Sequence, residues 1–486
     1  MLFTSLQYLI FLPIVVALFW ILPKQARLPM LLVASYIFYA SWNPPFVFLI
    51  ILLTYFNWLW GAFMHRHQNE RNRRLLLGAG IAGNLLTLCY FKYANFLVGS
   101  LCEVIHLVNH TPQPHWVLNI VLPLGISFFT FEFIHYLFEI YRGNKPVDSF
   151  VLFALFAAFF PTQIAGPVKR YPDFVAQMKE ERTLKLADFD EGIPLIIMGM
   201  AKKLLIANNL AILVQMGFAN PFNYGAPELW LLAYAFTFQI YFDFSAYTDI
   251  GRGSAMLFGY HIPINFNLPL IADNMSEFWH RWHISLSTWL RDYLFIPMGG
   301  SRGSKWRTNW NLFVTMALGG LWHGAAWNFV VWGLYHGVCL IAHREFAVLR
   351  GKLPALNWVW KSKPYHYLSV LLTFNAVAVG CVFFGMTNIS AAFVMVRKMI
   401  LWRPIFTSAE AGSFFLLRSE LPLVVPVTLA ITVLLLLVNY PLGNLIKKDF
   451  FARIPGPCKA AYWSALVILM VMFVSDAKQP FIYFQF

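Results

Sequence analysis

Charge is what this sequence has least of. Asp, Glu, Lys and Arg together supply 12% of its 486 residues, about half the share found in an ordinary soluble domain. With 59% hydrophobic residues and a mean hydropathy of +0.61, that shortage excludes a soluble globular fold and implies an all-α, polytopic integral membrane protein. Acidic residues are the scarcer sign, 22 against 36 basic ones, for a net charge of +14. In a soluble chain such an excess would suggest a nucleic-acid partner. Here the basic residues sit in short loops between apolar runs, where positive charge marks the cytoplasmic face, so no nucleic acid is expected. Cysteine is sparse too: Cys89, Cys102, Cys339, Cys381 and Cys458 are dispersed without a CxxC pair. That spacing argues against a disulfide framework and a zinc site, and no metal is expected. GxSxG, Walker, HExxH and GxGxxG contexts are missing. So are Gly/Ser linkers, low-complexity tracts and long-period repeats, which leaves a single membrane-embedded domain over 1–486.

What is present is a series of apolar runs long enough to span a bilayer. They lie at Leu2–Leu22, Phe46–Met64, Trp116–Tyr141, Ile193–Met216, Leu229–Ile250, Leu368–Met386, Leu421–Val438 and Ala460–Val474. Shorter runs occupy Leu28–Trp42, Leu75–Phe91, Val151–Phe160, Asn311–Trp322 and Phe329–Ala342. The expectation is about eleven transmembrane helices with additional re-entrant and interfacial ones. The first run has no basic residue ahead of it and no small-residue cleavage site before Pro23, so it reads as a retained span and not a removed signal peptide. Lys24 and Arg27, the loop 65–74, Arg142 with Lys145, 169–185 and 252–307 carry the positive charge and are expected inside. Val151–Phe160 has basic residues beyond both ends, is too short to cross, and precedes Pro161 and the Gly166-Pro167 pair, which predicts a re-entrant hairpin. Thr183–Asp190 and Ser285–Tyr293 have the mixed polarity of interfacial helices, with Trp282, Trp289, Arg291 and Tyr293 as headgroup anchors.

Against this apolar background, polar residues are conspicuous. No Lys, Arg, Asp or Glu occurs from Asn311 to Ala342, yet His323 stands in the middle of that stretch. An ionisable group at membrane depth is costly and marks a functional site by default. The helical run before it and the one after it predict a fold-back around His323-Gly324, with the imidazole facing a cavity. His283 is the neighbour that could share general-base work with it, one ring acting and the other holding the tautomer. Asp243 and Asp249 read as ion-pair partners of Arg252 or Arg281. Glu132, His135 and Glu139 share a helical face, as a cavity lining or as an internal network. His280 and His336 read as structural.

Three blocks carry a family resemblance. One is Ser276–Gly300, containing Trp279-His-Arg-Trp-His283 and ending Phe295-Ile-Pro-Met-Gly-Gly300; the second is Gly319-Gly-Leu-Trp-His-Gly324; the third is Phe160-Pro-Thr-Gln-Ile-Ala-Gly-Pro167. Leu122–Ser127, Tyr241–Tyr247 and Phe481–Phe486 add to them. Together they resemble the membrane-bound O-acyltransferase (MBOAT) family, and within it the bacterial branch concerned with alginate O-acetylation. The sequence departs from that pattern at His280 and His135. The resemblance implies a multi-helix MBOAT-type bundle in the bacterial cytoplasmic membrane with a tunnel meeting at His323, the catalytic base, and His283 as the second catalytic position. Trp322, Trp279, Asp243 and Arg281 are the implied substrate contacts, and Lys169 and Arg170 the implied contacts to the phosphates of the donor, acetyl-CoA or another acyl-CoA. It also implies a periplasmic acetyltransferase partner that acylates a glycan: an alginate-like polymer, cellulose or peptidoglycan. Two other readings remain at this stage, a proton-coupled transporter or glycan flippase, and a scaffold of a secretion machine. Transporters usually show paired halves with matching broken helices, and no such symmetry is visible.

Overall fold

A computed structural model describes residues 1–109, 117–164, 166–401, 430, 454–473 and 481 of the chain. Every described element is a helix, as the apolar composition predicts. The helices are α1 (Leu6–Ile21), α2 (Lys24–Ala40), α3 (Pro45–Arg66), α4 (Glu70–Leu88), α5 (Ala94–Asn109), α6 (Ile126–Tyr141), α7 (Phe150–Ala158) and α8 (Tyr171–Lys179). They continue with α9 (Leu186–Ala201), α10 (Asn208–Ala219), α11 (Ala226–Met256), α12 (Met275–Arg281), α13 (Ile284–Leu290) and α14 (Lys305–His323). The last are α15 (Trp327–Gly351), α16 (Asn357–Trp360), α17 (Lys363–Gly385), α18 (Ile389–Leu401) and α19 (Gly456–Phe473). Four described helices are long and apolar enough to cross a membrane: Pro45–Arg66, Glu70–Asn109, Leu186–Ala219 and Lys363–Gly385. The expected span Leu421–Val438 lies outside the described residues apart from Ala430, as do Val474 and residues 482–486 of the last sequence block.

Two expected boundaries are corrected. The run Trp116–Tyr141 becomes helical only at Ile126, because Pro123 lacks an amide donor and Gly125 turns the chain through a left-handed conformation at φ 73°. Leu75–Phe91 is part of a 40-residue helix, Glu70–Asn109, in which a π-helical turn at Cys89–Tyr93 joins α4 to α5.

The chain forms two compact units. The first comprises Met1–Ile196, Ile250–Ile264 and Gly324–Ala326. Its core is α6, buried on nearly every face, with α2, α3, α4 and α7 around it. Asn57 on α3 and Asn84 on α4 exchange amide hydrogen bonds of 3.1 and 2.7 Å inside this core, a polar tie suited to a medium with no water to compete. The short helix α7 is capped by Ser149, and Phe153–Phe160 are fully enclosed. The chain leaves α7 through a turn in which the Phe160 amide donates to Ser35 Oγ at 3.2 Å. Protein therefore buries the broken backbone that the re-entrant expectation requires.

The second unit comprises Ile197–Asp249, Asn265–His323 and Trp327–Phe486. Its frame is the helical hairpin α14–α15, closed at glycines. A Cβ on Gly320 would collide with the Phe329 carbonyl and stand 3.0 Å from the Gly333 Cα, and one on Gly333 would collide with the Met316 carbonyl. Two backbones pack without side chains between them, as small residues permit in membrane helices. The fold-back expected at His323-Gly324 is present, since α14 ends at His323 and α15 starts at Trp327. Helix α17 packs on the other side of α15, held by Tyr335 Oη donating to the Ala376 carbonyl at 2.8 Å.

Gly320→Ala is expected to lower the thermal midpoint of the detergent-solubilised protein, through overpacking worth roughly 1–3 kcal/mol. Gly351→Ala, on the same hairpin with open space beside it, should leave the midpoint unchanged. Tryptophan-fluorescence melting curves of both variants check this.

Candidate active site

Two short helices present the first histidine. Asn274 caps α12, its Oδ1 accepting from the Glu277 amide at 2.8 Å, and α12 ends when the Trp282 amide reaches the Phe278 carbonyl at 2.8 Å. His283 then takes a left-handed conformation, φ 43° and ψ 53°, which costs a non-glycine residue energy and is found where function requires it. The neighbouring backbone holds the bend. The Ile284 amide donates to the Asn265 carbonyl at 2.9 Å, and Ser285 Oγ donates to Asn265 Oδ1 at 2.7 Å. The His283 side chain is fully buried, and neither ring nitrogen has a hydrogen-bond partner among the described residues. An unmet polar pair inside protein is expensive unless a substrate or water completes it.

His323 meets it from the end of α14. The two imidazole centroids lie 6.4 Å apart at 73°. That is wider than a directly bonded imidazole pair, and a reacting group between the rings would be within reach of both. Aromatic side chains enclose them. Trp332 and Phe384 stand edge-on to His323 at 5.0 and 5.2 Å, Trp322 lies 5.0 Å from His323 and 6.1 Å from His283, and Phe244 of α11 packs on His283 at 4.7 Å. The wall continues through Phe244 to Phe481 and from Phe481 to Tyr247, stacked at 3.8 Å.

Two cavities lie beside this centre. An inner one of about 330 Å³ is lined by His323 and His336 with Ile240, Phe278, Trp282 and Trp332, and by one face of α17. An outer, wider one of about 1140 Å³ is lined by polar side chains that include Ser276, His280, Thr288, Arg291, Thr315 and Arg344. Trp279 borders the outer cavity while its ring contacts Trp332 at 5.8 Å and His336 at 5.2 Å, both of which line the inner one. It is the partition between the two.

The other expected site residues fall elsewhere. Asp243 pairs with Lys203 at 2.8 Å, both buried, and Asp249 pairs with Lys202 at 2.5 Å. These two bonds correct the expectation that Arg252 or Arg281 neutralises the aspartates. They fix α11 to the π-helical turn Lys202–Ala207, and so place Phe244 against His283. Asp243 therefore acts on the site through position and does not face substrate. Arg281 pairs with Glu277 at 2.6 Å within α12, half-buried. Lys169 is buried in the first unit, donating to Glu132 at 2.8 Å and Thr162 at 2.6 Å. Its ammonium is committed to that internal network, which answers the alternative posed for Glu132 and removes Lys169 as a phosphate contact. Arg170 caps α8 in the same unit. Trp282, Trp289 and Tyr293 are wrapped in protein and are not headgroup anchors; Arg291 alone of that set is exposed. Among the described residues no cluster of His, Cys, Asp and Glu could hold a metal. Sequence reasoning passed over Trp332, Phe384 and Lys203. The first two look like ordinary helix residues, although Trp332 lies one turn before His336 and Phe384 two turns after Val377 on the cavity face.

Residues 141–365 match the sequence profile of MBOAT, the membrane-bound O-acyltransferase family. The chain is 42% identical to a probable alginate O-acetylase of Pseudomonas aeruginosa over 404 residues, covering 82% of this chain and 75% of that one. It is 32% identical to a peptidoglycan O-acetyltransferase of Helicobacter pylori, covering 82% and 79%. It is 30% identical to a teichoic acid D-alanyltransferase of Bacillus subtilis, covering 61% and 77%.

Lys203→Met should cost about 3–5 kcal/mol, because Asp243 is left buried without that cation. The double variant Lys203→Met with Asp243→Leu should recover most of the loss. Denaturation midpoints of the three proteins measure both effects.

Proposed function

The chain belongs to the membrane-bound O-acyltransferase family and is an acyltransferase, and on that premise we propose that it transfers an acetyl group from cytoplasmic acetyl-CoA towards an extracytoplasmic glycan, with His323 as the base. The observation that carries this reading is the meeting of His283 and His323, from separate sequence blocks, inside one aromatic enclosure. The named relatives act on alginate, peptidoglycan and teichoic acid, which favours a polymer outside the cytoplasmic membrane as the acceptor. A proton-coupled transporter or flippase would use buried histidines too, but it has no use for a family of acyl-transfer enzymes as its relatives.

The chemistry follows from a neutral imidazole in a dry site. His323 accepts the proton of the acceptor hydroxyl as that oxygen attacks the thioester carbonyl. The carbon–sulfur bond breaks, CoA leaves as its thiolate, and the proton on His323 returns to it. His283, buried and otherwise unpartnered, holds the reacting oxygen from the opposite side. The aromatic walls exclude water that would hydrolyse the thioester. The outer cavity is the donor's berth, with Arg291 and Arg344 in place of Lys169 and Arg170 as the cations for CoA phosphates. An extracytoplasmic acetyltransferase partner completes delivery to the glycan.

Purified protein in nanodiscs, supplied with acetyl-CoA and an alginate oligosaccharide, should release free CoA. His323→Ala should reduce that rate by about 10²–10⁴-fold, the usual value of a positioned base, and His283→Ala should reduce it as well. Equal release by wild type and His323→Ala would remove His323 from the mechanism.

A further inference from the structure

The inner cavity is closed, and its size carries information that the sequence does not. On α17, Val377, Cys381 and Phe384 follow one another at i, i+4 and i+7, so a single helix face forms one wall. His323, Trp332 and His336 form the opposite side. The far end is shut where Gly380 meets His336: a Cβ on Gly380 would stand 2.7 Å from His336 Nε2, so not even a methyl group fits behind it. Of the roughly 330 Å³ between the lining atoms, the free part holds only about one water-sized group. Apart from the two imidazoles, every lining side chain is aliphatic, aromatic or a thiol. A water there would lack the several polar partners that buried waters require, whereas a methyl group would fit both the size and the surface.

We infer that this chamber beside His323 is the acyl subsite and that it limits the transferred group to two carbons, with Val377, Cys381 and Phe384 as the residues that set the limit. The assignment rests on the reading of His323 as the base of acyl transfer. With the thioester carbonyl between the two histidines, the acetyl methyl enters the chamber while the CoA chain leaves past Trp279 into the outer cavity. A propionyl or butyryl group places one or two further carbons where α17 and His336 already stand. One methylene in a tight apolar pocket discriminates by about 10–200-fold, so the chamber is sufficient to select acetyl.

The test uses the full-length protein in nanodiscs with acetyl-, propionyl- and butyryl-CoA in turn, an alginate oligosaccharide as acceptor and free CoA as the readout. The wild type should turn over acetyl-CoA at least tenfold faster than propionyl-CoA and show little activity with butyryl-CoA. Val377→Ala removes two carbons from the chamber wall without touching either catalytic ring, and it should raise the propionyl-to-acetyl ratio about tenfold. Cys381→Ala is a milder widening, with a smaller shift in the same direction. The wild-type ratio needs no variant and decides the matter even if both substitutions impair folding. Butyryl-CoA used as fast as acetyl-CoA, or an unchanged ratio in a well-folded Val377→Ala protein, would overturn the chamber assignment and leave the acyltransferase reading standing. No turnover of any of the three thioesters would overturn both.

Discussion

An imidazole or an ion pair taken out of water must be enclosed by protein, and that cost organises what surrounds His323. Where hydrocarbon replaces water, every ionisable side chain needs a partner, a cavity or a reaction to justify it. The structure meets the requirement in two ways. Lys169 with Glu132, Lys202 with Asp249 and Lys203 with Asp243 neutralise one another as pairs. His283 and His323 have no such ion-pair partners and are instead sealed by Trp322, Trp332, Phe244 and Phe384. The paired groups hold helices in register. The sealed ones are left for chemistry.

Backbone geometry supplies the precision that such a site needs. The contact of Gly320 with Gly333 brings α14 and α15 together at backbone distance and fixes the turn on which His323 sits. The left-handed His283, held by Asn265 from a neighbouring segment, spends conformational energy to point its ring at the same place. Strain at one residue and close packing at another therefore converge on a gap between two imidazoles. Such preorganisation keeps the reacting groups from having to find each other during catalysis.

Much of this was legible in the sequence, for physical reasons that differ by residue. The scarcity of charge settled the all-helical membrane class, and a lone histidine in a charge-free stretch identified His323. The fold-back around Gly324 was visible because two apolar runs too short to be confident spans flank it. What could not be read were pairings across the chain. Lys203 and Asp243 lie on different helices, and nothing in their spacing distinguishes them from Arg252 or Arg281 as partners. Lys169 looked like a loop cation and proved to be fully enclosed, because basic composition marks a side of the membrane and not exposure. Trp282 and Trp289 looked like interfacial anchors, since burial by neighbouring helices depends on tertiary packing that composition does not encode. Cavity size, on which acyl selectivity turns, is a property of packed side chains alone.

The central claim is that the thioester of the donor is presented to His323 from the outer cavity, past Trp279. The most direct measurement is a cryo-electron microscopy structure of the protein with a non-hydrolysable acetyl-CoA analogue in which a methylene replaces the thioester sulfur. The account predicts the analogue's carbonyl between His283 and His323, its methyl group against Val377 and Cys381, and its phosphates near Arg291 and Arg344. Density for the analogue on the Lys169 and Arg170 side, with the space between the two histidines empty of it, would contradict the account.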